Sequence, residues 1–213
     1  MRPVVIDRQL ALADPNGIFL DQTTVGAADL TLNGALVVSG VAILDVQRQV
    51  ELESIANLSA INFTITGTDG QGRAISETIA GPNAGVSATS LDFLTVTQIA
   101  VDGAVGTNVE GGTNASGGSV PVPIDRHLTP TNIGLGLDLV SGAATVDVQH
   151  TFDDIFTDDP STLHTWFTHD TLGAQSADAD GNLAFPPSAV RLLTTAGVGR
   201  MKLTIVQAGA GAS

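Results

Sequence analysis

Apolar and polar residues alternate along several stretches of the chain, and this alternation predicts β-strands. In residues 46–53, Val46, Arg48, Val50 and Leu52 occupy one face, and glutamine and glutamate side chains occupy the other. A period of two with polar residues outward is typical of a half-buried antiparallel strand.

A β-hairpin is predicted over residues 61–79. Phe63 and Ile65 alternate with asparagine and threonine, a glycine-rich loop follows at 67–72, and the alternation returns with Ile75 on the inner face. Two alternating runs that are separated by a short loop containing glycine indicate two strands paired antiparallel.

Further strands are predicted at 91–101, with a bulge near Thr97, and in the second half of the chain at 137–148, 189–193 and 201–206. Glycine turns separate these strands, and no stretch shows helical spacing with caps. The predicted fold class is therefore all-β, with one or two antiparallel β-sandwich or barrel domains and an extended N-terminal arm.

The predicted domain organisation has three parts. Residues 1–30 show little sustained periodicity and contain the turn signal Asp-Pro-Asn-Gly at 14–17, which indicates an extended arm. Residues 31–118 are predicted to form a β domain that ends in a glycine-rich linker, and residues 119–213 to form a second β domain. The linker is predicted because glycine, threonine, asparagine and serine dominate residues 103–118.

Composition and charge narrow the classes of function. Of the 213 residues, 43% are hydrophobic, none is cysteine, and the formal net charge is −14. The absence of cysteine excludes disulfides and thiolate metal sites. A chain this acidic binds the phosphate backbones of nucleic acids poorly. We therefore expect no nucleic-acid partner. The N-terminus lacks a signal-peptide pattern, and no stretch is long enough to cross a membrane, so we expect no membrane partner.

The histidines are the first candidates for chemistry. They are His127, His150, His164 and His169, and the last three share an acidic segment. Its aspartates are Asp153, Asp154, Asp158, Asp159 and Asp170. Imidazole and carboxylate groups can bind a transition metal, but the spacing from His164 to His169 does not place both on one strand face. We expect these side chains to be hydrogen-bonded loop residues packed around Trp166, in preference to metal ligands.

Two aspartate-containing turns resemble the start of a calcium loop. Asp178–Asn182 has alternating oxygen ligands but no acidic residue at the distance where the loop would need one, and Asp69–Gly72 is weaker still. We expect solvated turns at both places. The sequence contains no nucleophile elbow, phosphate-binding loop or dinucleotide fingerprint. We therefore predict no catalytic residues, no cofactor-binding or metal-binding residues, no cofactor and no enzymatic activity.

Two stretches resemble predicted structural proteins of tailed bacteriophages. The first spans residues 61–101 and reads INFTITGTDGQGRAISETIAGPNAGVSATSLDFLTVTQIAV. The second lies in the carboxyl half and includes VDVQHTFDDIF, WFTHDTLGAQSADADGN and PPSAVRLLTTAGVGRMKLTIVQAG. Together they cover more than half of the chain. The resemblance implies an assembly role in the virion and supplies no catalytic residues.

Three functions remain open, in order of preference. The first is a capsid decoration (cement) protein that binds the major capsid protein and clamps neighbouring shell subunits with its N-terminal arm. The second is a tail component: a fibre-attachment adaptor, a tail-tube part or a baseplate part. The third is a carbohydrate-binding module that uses the acidic loop around Trp166. The first two imply a virion location after assembly in the bacterial cytoplasm, and a homo-oligomer, either a trimer or a hexamer.

Certain residues are also expected to stabilise the fold. Arg48 and Arg191 lie within predicted strands, where we expect each to pair with an aspartate. The expected core anchors are Phe63, Phe93, Phe152 and Trp166.

Overall fold

The computed structural model describes residues 3–127 and 131–207, and these residues form nineteen strands. The strands in chain order are β1 (Val4–Gln9), β2 (Asp14–Gln22), β3 (Ala28–Asp29), β4 (Val37–Val38), β5 (Val41–Arg48), β6 (Val50–Asn57), β7 (Asn62–Thr68), β8 (Ala74–Ala80), β9 (Asn83–Ala88), β10 (Phe93–Val101), β11 (Val109–Thr113), β12 (Gly117–Gly118), β13 (Val122–Pro123), β14 (Ile133–Ser141), β15 (Ala144–Thr151), β16 (Phe167–Thr168), β17 (Ala179–Leu183), β18 (Ala189–Gly197) and β19 (Arg200–Gln207).

The predicted all-β class is confirmed. The strands form antiparallel sheets of the β-sandwich type, and the described residues contain no helix. This part of the chain therefore has no helix that is long and apolar enough to cross a membrane.

The chain divides into two compact units. The N-terminal unit is Ala13–Ala115, and the C-terminal unit combines Met1–Leu12 with Ser116–Ser213. In the N-terminal unit one sheet has the order β2-β11-β6-β9, and the other has the order β5-β10-β7-β8, with β3 beside β10 and β4 beside β5. Both sheets contribute buried side chains to one core, for example Phe19 and Leu52 from the first and Phe63 and Ile99 from the second.

The C-terminal unit is built on the same principle. One sheet has the order β1-β19-β14-β17, and the other has the order β16-β15-β18, with β12 and β13 also pairing with β18. The two inner faces share a core that includes Leu137 and Leu203 from the first sheet and Val148 and Leu192 from the second. When one sheet packs on another, every second residue of each strand points into the core and is buried.

The predicted hairpin is confirmed. β7 and β8 pair from Asn62↔Ala80 to Thr68↔Ala74 without a break. The Asp69 carboxylate closes the loop because its Oδ1 accepts hydrogen bonds from the backbone N–H groups of Gln71 and Arg73, both at 2.9 Å. The predicted bulge is confirmed as well, since the β10–β7 register shifts between Val96 and Gln98.

The prediction of an N-terminal arm is wrong. Residues 4–9 are β1, which pairs with β19 along its whole length, and residues 14–22 are β2, which pairs with β11. Ile6 and Phe19 are buried in the cores of the two units. Both strands are stabilised by pairing with strands that are distant in sequence, although their own periodicity is weak. A window of neighbouring residues cannot reveal such partners.

The glycine-rich segment also differs from the prediction. Residues 109–113 are strand β11, and the units divide between Ala115 and Ser116, whereas the prediction placed the boundary at 118. Gly111 and Gly112 are buried. A Cβ at Gly111 would overlap the Phe19 ring, and one at Gly112 would overlap the Asp14 carbonyl oxygen of the paired strand. These two glycines allow close strand packing, which is a different role from linker flexibility.

The predicted turn at Asp178–Asn182 is a strand instead, because β17 pairs with β14 from Leu137↔Ala179 to Ile133↔Leu183. Asp180 and Asn182 lie opposite glycines of β14 and are exposed, as polar residues on an edge strand can be. The preference of Asp, Gly and Asn for turns is overridden by pairing with β14.

Candidate functional site

The site with the clearest geometry is a cleft of about 670 Å³ in the C-terminal unit, which we call the aromatic cleft. Residues of β15, β16 and β17 line it, and β16 and β17 are the edge strands of the two sheets in the strand order above. The lining residues are His150, Phe152, Phe167, Thr168, His169, Asp170, Thr171, Asp180, Gly181, Asn182, Leu183 and Phe185.

His150 lies at the centre of a group of three phenylalanines. Its ring is stacked on Phe167 with centroids 5.8 Å apart, because the two residues are paired across β15 and β16. Phe152, two residues further along the chain, meets the His150 ring edge-on at 5.6 Å, and Phe185 contacts it at 5.1 Å. The phenylalanine rings also contact one another, with Phe152 lying 6.0 Å from Phe167 and 5.5 Å from Phe185. Together they form one continuous apolar wall.

The imidazole of His150 is buried, with 8% of the residue exposed, yet its Nδ1 has no hydrogen-bond partner among the described residues. Burial lowers the pKa of His150, the neighbouring His169 lowers it further, and the carboxylate of Asp170 opposes both effects. His150 is therefore neutral at physiological pH, with one ring nitrogen as donor and the other as acceptor.

His169 is held in one tautomer by its neighbours. Its Nδ1 accepts a hydrogen bond from the backbone N–H of Thr171 at 3.2 Å, and its Nε2 donates to the carbonyl oxygen of Asn182 at 3.1 Å. The second bond connects the segment after β16 to β17. His169 therefore fixes the two sides of the cleft relative to each other, and neither ring nitrogen is left for a metal ion.

The structure separates the histidines that the sequence groups together. His150 and His169 line the aromatic cleft, whereas His164 Nδ1 lies 3.8 Å from Asp153 Oδ2 and His127 is exposed. Nowhere in residues 3–127 and 131–207 do three histidine, aspartate or glutamate side chains meet as a possible metal site. His150 packs against phenylalanines, so the expectation that these histidines pack around Trp166 is wrong for this residue.

The two calcium-like turns have other structural roles. Asp178 Oδ1 accepts a hydrogen bond from the backbone N–H of Leu139 at 2.7 Å, which extends the contact between β17 and β14. The Asp69 carboxylate is engaged by backbone N–H groups of its own loop and by the Arg73 guanidinium, whose Nε lies 2.8 Å from Oδ2.

Trp166 is partly exposed and is not a core anchor. The guanidinium of Arg191 lies 4.1 Å from the centre of its ring, which is a cation–π contact that covers one ring face. Arg191 also donates from Nε to the side-chain oxygen of Gln149 at 2.9 Å. A sugar that stacked on this face of Trp166 would have to displace Arg191.

The remaining structural predictions have mixed outcomes. Phe63 and Phe93 are fully buried, as predicted, but 53% of Phe152 is exposed because it belongs to the wall of the cleft. Arg48 pairs with Asp45 at 3.0 Å, as predicted, and also donates to the carbonyl oxygen of Asn114 at 2.8 Å.

Sequence reasoning singled out His150, His169, Asp170 and Phe152 but missed the other two phenylalanines of the cleft, Phe167 and Phe185. Four of the seven phenylalanines fall between residues 152 and 185, which was the one available signal. Their polar flanks are typical of loops and gave no reason to expect the rings to meet.

No family model matches the sequence, and no curated protein matches it significantly.

Proposed function

We propose that the chain is a non-enzymatic structural component of a tailed-phage virion, where it decorates the major capsid shell. The observation that carries the proposal is the resemblance of residues 61–101 and of the carboxyl half to phage structural proteins. These stretches correspond to β7–β10 in one unit and to much of β15–β19 in the other. The stretches that carry the resemblance therefore form core strands of both units. This is expected of a structural protein, whose function depends on its folded domains.

Edge strands support an assembly role. In the described part of the chain, β8 pairs only with β7, β9 only with β6, and β17 only with β14. An edge strand has backbone N–H and C=O groups that can pair with another chain, and strand addition is a common mode of protein recognition. Because residues 4–9 and 14–22 are paired strands, we assign attachment to such edges and not to an N-terminal arm.

The charge of the chain supports a position on the outside of the particle. A net charge of −14 disfavours contact with packaged DNA and favours a solvated outer face. Symmetric shells present their sites in rings, so we propose that the chain binds as a homo-oligomer, a trimer or a hexamer.

The decisive experiment mixes the purified chain with expanded, DNA-free shells of the source phage and separates bound from free protein by sedimentation. We expect saturable binding at hundreds of copies per shell. Shells that sediment without the chain at saturating concentration would overturn the decoration role. A heat-treated sample of the same protein controls for trapping of aggregates.

The alternative is a tail component, which the same edge strands would support. Copy number separates the two proposals, since a decoration protein is present at hundreds of copies per virion and a tail component at tens at most. Quantitative mass spectrometry of purified virions, referenced to the major capsid protein, gives this number directly.

A further inference from the structure

The aromatic cleft has the size and the position of a binding site. Its volume of about 670 Å³ lies within the range of small-molecule pockets. It opens beside two edge strands, β16 and β17, so a ligand can enter without separating paired strands.

The apolar wall is too exposed to be explained by folding alone. Phe152, Phe167 and Phe185 are 53%, 46% and 39% exposed, although their rings contact one another. Single exposed apolar residues are normal, but contiguous aromatic rings in a concave surface mark interaction sites. The ring faces offer an apolar platform for one side of a ligand.

The other lining groups are short hydrogen-bonding side chains. Asp170, Asp180 and Asn182 are exposed around the cleft, together with the hydroxyls of Thr168 and Thr171. The described lining residues include no lysine or arginine. A cleft with carboxylates and without cations disfavours phosphates, nucleotides and acidic sugars. It favours a neutral ligand that carries many hydroxyl groups and an apolar face.

We propose that the aromatic cleft binds a neutral carbohydrate. One pyranose ring lies against the phenylalanine wall, and its hydroxyls bond to the carboxylates, to the Asn182 amide and to the threonine hydroxyls. The proposal goes beyond the virion role and does not depend on it. A peptide of a second protein is the competing occupant.

The test starts from an array of neutral and acidic oligosaccharides that is probed with the fluorescently labelled full-length chain. Saturation-transfer NMR with free maltose, cellobiose, lactose and N,N′-diacetylchitobiose follows, and titration gives the dissociation constants. We expect binding to at least one class of neutral glycan and none to sulfated or uronic-acid glycans. Binding to acidic glycans alone, or to no glycan, would overturn the proposal, and the second result would favour a peptide occupant.

Variants locate the site. Phe167→Ala removes an exposed part of the wall, and Asp180→Asn removes one carboxylate charge. We expect each to weaken binding at least 10-fold while the melting temperature stays within a few degrees of the original. Phe156→Ala is the matched control, because Phe156 is also a partly exposed phenylalanine of this unit but does not line the cleft. Unchanged affinity in both cleft variants would place any glycan site elsewhere and refute the assignment. Shell binding by the same variants tests the virion role separately.

Discussion

Replacing Gly112 with alanine tests the corrected role of the glycine-rich segment. If residues 103–118 were a linker, Gly112→Ala would be harmless or would stabilise the protein by about 0.4–1 kcal/mol through the unfolded state. In the structure Gly112 is buried in β11, and the new Cβ would overlap the Asp14 carbonyl oxygen and lie 2.5 Å from the Pro15 carbonyl carbon. The two interpretations therefore predict opposite signs.

The size of the stability loss depends on which atoms the new Cβ would displace. The obstructing atoms are backbone atoms of β2, the neighbouring strand, so no side-chain rotation can relieve the overlap. Overpacking of this kind costs about 1–3 kcal/mol and occasionally more. Taking the upper end and subtracting the gain in the unfolded state, we expect a loss of about 2 kcal/mol or more. For a unit of this size, that lowers the melting temperature by about 10 °C.

Thermal unfolding followed by far-ultraviolet circular dichroism measures this loss. Fluorescence alone does not suffice, because the one tryptophan, Trp166, lies in the C-terminal unit. Gly106→Ala is the matched control. Gly106 lies in the same glycine-rich segment, has no positive φ, and leaves open space for a Cβ. We expect Gly106→Ala to match the original protein in stability or exceed it slightly. If Gly112→Ala behaves in the same way, the pairing of β11 with β2 is wrong.

Three further predictions concern stability. Phe63→Ala truncates a fully buried ring and should cost about 3–5 kcal/mol in urea unfolding, whereas Phe152→Ala removes a half-exposed ring with aromatic contacts and should cost only about 0.5–1.5 kcal/mol. Equal losses would contradict the corrected assignment of Phe152. Arg48→Met removes the hydrogen bonds of a cation that is 1% exposed and should cost about 2–4 kcal/mol in the same assay; a loss below 1 kcal/mol would argue against this buried network. Because burial lowers the pKa of His150, the unfolded state takes up its proton first, and stability should fall as pH drops from about 6.5 toward the lower folded pKa. Trp166 fluorescence during melting at several pH values measures that slope, and His150→Phe should reduce it.

The sequence predicted the parts of the fold that depend on neighbouring residues. Burial on one side of a strand produces alternation, so the hairpin at Asn62–Ala80 and the strand with Met201, Leu203 and Ile205 inward were both visible. The bulge near Thr97 was visible for the same reason, since the alternation of residues 91–101 breaks there.

Pairing between distant segments could not be predicted in this way. β1 and β19 are separated by almost the whole chain, and nothing in residues 4–9 specifies residues 200–205 as their partners. Glycine occurs both in loops and in closely packed strands. The sequence around Gly111 and Gly112 therefore predicted the commoner of the two, a loop. Only the positions of Phe19 and Asp14 distinguish the two cases.

The candidate site was hidden for the same reason. His150, Phe167 and Phe185 come from three separate segments, and their contact depends on the pairing of β15 with β16 and on the path of the chain after β17. The sequence directed attention to Trp166 because sugar sites favour tryptophan. The structure places Arg191 over that ring and places three phenylalanines around the neighbouring cleft.

Immunogold electron microscopy of intact virions, with antibody raised against the full chain, tests the proposed virion role. We expect label spread over the whole head, as expected for a decoration protein at hundreds of copies. Label confined to one vertex or to the tail would assign the chain to the tail assembly. Virions that stay unlabelled, while the same antibody detects the purified chain, would contradict the virion role altogether.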